Sequence, residues 1–125
     1  MKKGIKLLEE IVGDGEEVER QKYYQIELRC WLNKGEAIRW KHAWGLFDRS
    51  QLLENGELLI TDVRINREDL ICGLFYGVQG MKIGGTRKLK ISPHMAYGEK
   101  GLPSVIPENA ALICEIKIAE QRYVA

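Results

Sequence analysis

Between Tyr24 and Leu32 every second residue is apolar: Tyr24, Ile26, Leu28, Cys30 and Leu32 interleave with Gln25, Glu27, Arg29 and Trp31. A strand sends successive side chains to opposite faces, so this pattern buries one face and leaves the other in water. The stretch Ala111 to Ala119 repeats it, with Leu112, Cys114, Ile116 and Ile118 on one face. A chain holding two such segments must build a sheet with one covered face.

The remaining punctuation fills in the order. Gly4 to Val12 reads as either an edge strand or one turn of helix, and Gly13-Asp14-Gly15 then forces a turn by allowing positive φ. Asn33-Lys34-Gly35 supplies a hairpin turn, after which Glu36 to Trp44 returns antiparallel. Asn55-Gly56 is a second hairpin signal, followed by a strand from Leu58 to Ile65. Asn66-Arg67-Glu68-Asp69 places capping and acidic residues ahead of a helix from Leu70 to Tyr76, which Gly77 and Gly80 end. Thr86 to Ile91 is a strand with exposed lysines. Ser92 to Asn109 is a turn-rich loop that holds all three prolines, Pro93, Pro103 and Pro107. The fold class is therefore α+β: mostly antiparallel sheet with one short helix on one face.

Length and composition narrow the function. The 125 residues fit one domain, 1–125, which buries a core without disulfides or metals. A net charge of +1 gives no electrostatic case for nucleic acid or an anionic membrane. Met1-Lys2-Lys3 resembles the start of a signal peptide, but Glu9 and Glu10 interrupt the apolar residues behind it, so cytoplasmic residence is expected. Cys30, Cys72 and Cys114 are far apart and odd in number, which argues for small buried hydrophobes over paired disulfides or zinc ligands. His42 and His94 share no ligand spacing. Lys82, Arg87, Lys88 and Lys90 read as a solvated face, and Trp31, Trp40 and Trp44 either as packing for the first hairpin or as an exposed apolar contact surface.

The segment Gly73 to Gln121 carries a more specific signal. It contains Gly80-Met81-Lys82-Ile83-Gly84-Gly85, then Ile91-Ser92-Pro93-His94-Met95-Ala96-Tyr97-Gly98, then Val105-Ile106-Pro107 and Asn109-Ala110. In this order and spacing the segment resembles the FKBP-type peptidyl-prolyl cis-trans isomerases. Phe47-Asp48-Arg49-Ser50 is similar to the family's F-D-x-S, and a competing alignment puts Ile38 and Arg39 at the F-D positions instead.

The resemblance implies an FKBP-like curved antiparallel sheet around one short helix, and isomerisation of X-Pro bonds without a cofactor or metal. It implies Tyr97 as a phenol donor to a substrate carbonyl, with Phe47 as an aromatic wall and Asp48 as a polar rim group. The Ile71 N–H, next to Leu70, would be a second donor. Leu74 would form the pocket floor, Val105 and Ile106 the rim, and Leu28 and Cys114 the walls. The expected partners are proline-containing polypeptides, with macrolides such as FK506 or rapamycin as further ligands, and neither nucleic acid nor membrane. Leu28 (or Cys30), Leu74 and Cys114 stand where the family carries aromatics. Smaller groups there widen the pocket and remove stacking surface, so weaker activity and poorer macrolide binding are expected. The alternative is an FKBP-like peptide-binding or chaperone module with little turnover. Taken alone, Phe47 reads equally as core and Asp48 as a turn residue, while Leu70, Ile71 and Leu74 are core under any fold.

Overall fold

A computed structural model describes residues 2–38, 50–52 and 57–123. It contains strands β1 (Ile5–Ile11), β2 (Tyr23–Leu32), β3 (Ser50–Leu52), β4 (Leu58–Arg64), β5 (Thr86–Ile91) and β6 (Leu112–Arg122). One helix, α1 (Cys72–Gly77), lies between β4 and β5, and a 3₁₀ turn spans Pro93–Met95. The strands form one sheet in the order β1-β5-β6-β2-β4-β3, and every neighbouring pair is antiparallel.

The two alternating segments are partners at the centre of this sheet. Ile26 lies opposite Ile118, Leu28 opposite Ile116 and Cys30 opposite Cys114, so both apolar stripes share one face and all six side chains are buried. Strand β6 runs three residues beyond the expected Ala119, because Glu120 to Arg122 pair with Gln25 to Tyr23.

The opening segment proves to be an edge strand paired to β5. Its alternation is illegible because the register shifts between Leu7 and Glu9, and such a bulge breaks the two-residue period. The Gly13 turn also has a different cause from the one expected, since neither Gly13 nor Gly15 has a positive φ. A Cβ on Gly13 would lie 2.2 Å from the Ile83 carbonyl oxygen and 2.4 Å from the Gly85 nitrogen. Glycine is needed there so that two backbones can touch. Asn33 to Gly35 turn as expected, with Gly35 at φ +100° and its N–H donating to the Leu32 carbonyl. The return is seen through Ile38, while the Asn55-Gly56 turn, Trp40, Trp44 and His42 lie outside the described residues.

The helix starts at Cys72, two residues later than expected, with Ile71 as N-cap and neither a side-chain cap nor an acid in its first turn. The capping residues serve the preceding turn instead. Asn66 Oδ1 accepts from the N–H groups of Glu68 (3.1 Å) and Asp69 (2.9 Å), and Asp69 Oδ2 accepts from the Arg64 N–H at 2.8 Å. Two glycines then let α1 lie flat on the sheet. Gly73 and Gly77 are four apart and so share a helix face. A Cβ on either would lie 2.4 Å from a side-chain carbon of Ile91 or Leu89, two residues on one face of β5.

Arg87 departs from the reading of a solvated basic face. It is 8% exposed. Its Nη1 donates to the carbonyls of Gly77 (2.9 Å) and Gln79 (2.6 Å), and its Nε donates to Glu10 Oε2 at 2.7 Å. The guanidinium therefore satisfies carbonyls at the end of α1 that the helix leaves open.

Candidate functional site

Candidate residues lie at the start of α1 and on the loop after β5, two segments that approach each other where a Cβ on Gly73 would lie 3.0 Å from the Met95 carbonyl oxygen. Leu70 is buried ahead of the helix, and the Ile71 carbonyl begins the helix by accepting from Leu74 (3.1 Å) and Phe75 (2.9 Å). Among the described residues nothing accepts from the Ile71 N–H. Ile71 is half-buried against the core, so this donor belongs to a residue with one side toward solvent.

The loop after β5 carries other candidates and is held by its own hydrogen bonds. The Gly98 N–H donates to the Pro93 carbonyl at 2.8 Å, and the Asn109 N–H donates to the Gly98 carbonyl at 3.2 Å. These fix Tyr97 between two tied points. Farther along, the N–H of Leu102 donates to the Ile106 carbonyl, and that of Ile106 to the Leu102 carbonyl, closing a small bridge that turns Ile106 inward. Ser104, at φ +63°, and Asn109, at φ +52°, take the tight corners.

Leu28, Leu70, Leu74, Ile106 and Cys114 all belong to one apolar cluster, and Ile71, Tyr97 and Val105 pack against it half-exposed. Leu28 and Leu74 are each 1% exposed and Cys114 is fully covered. These three can act on a ligand only through the shape of the wall, whereas Ile71, Tyr97 and Val105 present surface. The Tyr97 phenolic oxygen is shielded from water. Phe47 and Asp48 lie outside the described residues. Ile38, the competing choice for the aromatic wall, is buried, and its N–H donates to the Cys30 carbonyl at 3.0 Å.

The structure adds one relationship that spacing in the sequence could not reveal. Cys30 Sγ lies 3.1 Å from Cys114 Sγ inside the core. Their hydrogen bond, and then burial, hold the Cys30 thiol well above its ordinary range. Beside the rim, Leu32, Glu36, Ala37, Ile38, Ser104 and Val105 line a groove between the first hairpin and the loop. Among the described residues no group of three or more His, Cys, Asp or Glu side chains could hold a metal ion. No helix there is long and apolar enough to cross a membrane.

Residues 45–119 match the model of the FKBP-type peptidyl-prolyl cis-trans isomerases. The chain belongs to this family. The match takes in Phe47 and Asp48 and begins after Ile38 and Arg39. The 39 kDa FK506-binding nuclear protein of Drosophila melanogaster is 30% identical over 115 residues, which is 92% of this chain and 29% of that protein. The 46 kDa FK506-binding nuclear protein of Spodoptera frugiperda is 46% identical over 55 residues, covering 44% of this chain and 13% of that protein. FK506-binding protein 4 of Chaetomium thermophilum is 43% identical over 58 residues, covering 46% and 12%. This FKBP chain thus spans less than a third of each of these relatives. The crystal structure of AtFKBP13 superimposes with a TM-score of 0.71 at 22% identity, covering 95% of this chain and 94% of that one, and shows the same fold. The expectation of cytoplasmic residence is corrected by these relatives, two of which are named nuclear proteins. Net charge does not distinguish the two compartments.

Proposed function

We propose that this FKBP domain isomerises X-Pro peptide bonds in flexible protein segments, using the surface between Ile71, Tyr97 and the Val105-Ile106 rim. The observation that carries this reading is the Ile71 N–H. The helix does not use it, and it borders an enclosed apolar floor.

The chemistry asks for little else. The prolyl barrier of about 18–20 kcal/mol comes from amide resonance, which the twisted transition state loses along with charge separation. An apolar, water-poor surface favours that less polar form over the planar one. The Ile71 N–H would hold the substrate backbone, and the Tyr97 phenol would donate to a carbonyl beside the rotating bond. Phe47 and Asp48 are proposed to complete the wall and rim. No covalent step arises, and neither a metal nor a cofactor takes part.

A second reading is supported by the enclosed side chains. Leu28 (or Cys30), Leu74 and Cys114 stand where the family carries aromatics and offer no ring to stack on proline, which suits a module that holds apolar peptides and turns them over slowly. Macrolides such as FK506 or rapamycin would then bind poorly for the same reason. The names of the relatives support a nuclear setting for either reading.

A protease-coupled assay with an Ala-Leu-Pro-Phe peptide separates the two. The enzyme reading expects a rate above the uncatalysed one. Peptide binding with no acceleration would leave only the binding module.

A further inference from the structure

We infer that Cys30 and Cys114 are a latent disulfide pair, closed by a two-electron oxidant of the peroxide class and otherwise held as a dithiol. The register carries this. The two residues are directly opposite on β2 and β6. On the other edge of β2, the Leu32 N–H donates to Glu36 and the Cys30 carbonyl accepts from Ile38. The N–H and C=O of one strand residue point the same way, so those of Cys30 face the hairpin, away from β6. Cys30 and Cys114 therefore form a non-hydrogen-bonded pair.

That kind of pair brings Cα atoms to about 4.5 Å and side chains closest together. The spacing falls at the short end of the range that disulfides span, about 4.4–6.8 Å. The sulfurs already lie 3.1 Å apart, and bonding requires them to close to about 2.05 Å. Rotation of the two side chains is the movement proposed to close this gap.

The chemistry balances with hydrogen peroxide as oxidant. Cys30, which keeps 4% exposure where Cys114 has none, attacks one peroxide oxygen as its thiolate. The O–O bond breaks, the leaving hydroxide takes up the proton that the thiol gave up and departs as the first water, and a sulfenic acid forms on Cys30. The Cys114 sulfur then attacks that sulfur, its proton leaves with the hydroxyl as the second water, and the S–S bond closes. Two thiols are oxidised by two electrons and one peroxide is reduced to two waters. Burial and the raised Cys30 thiol slow the first step, so the dithiol is the resting state in a reducing compartment. Cys72, half-buried at the start of α1, is not part of the pair.

The test is intact-mass and peptide mapping of the full folded chain after hydrogen peroxide treatment, with unreacted thiols alkylated in denaturant. The expected result is a loss of 2 Da, one linked peptide joining Cys30 to Cys114, and a urea midpoint that rises on oxidation and returns with dithiothreitol. The Cys72→Ser chain should behave identically. The inference is overturned if the native chain keeps both thiols under conditions that oxidise Cys72. It is equally overturned if Cys30 gains oxygen and stays unlinked, or if the linked peptide contains Cys72.

Discussion

Arg87 Nε donates to Glu10 Oε2 at 2.7 Å, joining the edge strand β1 to the end of α1 through one guanidinium. Removing it strands a carboxylate and two carbonyls together. Arg87→Ala is expected to cost about 3 kcal/mol, since charged hydrogen bonds at a mostly buried site are lost. Arg87→Lys should recover only part, because an ammonium cannot reproduce the planar fork. Urea denaturation of both variants checks this.

Gly13 touches the Ile83–Gly85 backbone, so the site cannot relax by turning a side chain. Gly13→Ala should destabilise by about 3 kcal/mol, the upper range for overpacking. Gly35→Ala meets open space and pays only for its positive φ, about 1–2 kcal/mol. Thermal melts of the two variants should rank in that order.

Asn66 holds the turn that delivers Leu70 and Ile71 to the helix start. Asn66→Ala should cost about 1 kcal/mol, as for other lost caps, while Asn66→Asp should restore most of it. A proportionate loss of peptide affinity in Asn66→Ala would show that the turn sets the position of the Ile71 N–H.

The Cys30 thiol is held above its ordinary value by Cys114 and by burial. Its contribution to stability is complete below the unfolded value of about 8.5 and is lost as pH climbs through the folded value. With a reductant present, the urea midpoint of the native chain should fall between pH 8 and pH 10 more than that of Cys30→Ala. Parallel decline of the two would contradict the shift.

Much of the sheet was legible because a two-residue period is a direct consequence of strand geometry. The pairs Leu28–Ile116 and Cys30–Cys114 follow once both stripes must face one core. The Leu7–Glu9 register shift hid β1, since one extra residue moves every later side chain to the other face. Asn66 and Asp69 carried real capping chemistry, but local sequence does not say whether a cap serves a helix or the turn before it. Arg87 looked solvated because its partners, Glu10 and Gln79, are brought to it only by the tertiary fold. Among the candidate site residues, Tyr97, Val105 and Ile106 stood out through their loop motifs. The enclosure of Leu28, Leu74 and Cys114 depends on packing across strands that no short motif encodes.

Prolyl isomerisation by this domain is tested by the kcat/KM for an Ala-Leu-Pro-Phe peptide, measured by exchange NMR on the native chain and on Tyr97→Phe at matched stability. Measurable catalysis by the native chain is expected, with about a tenfold loss in the variant, equivalent to one neutral hydrogen bond of ~1.4 kcal/mol. An exchange rate in the native chain equal to that of the free peptide would contradict it.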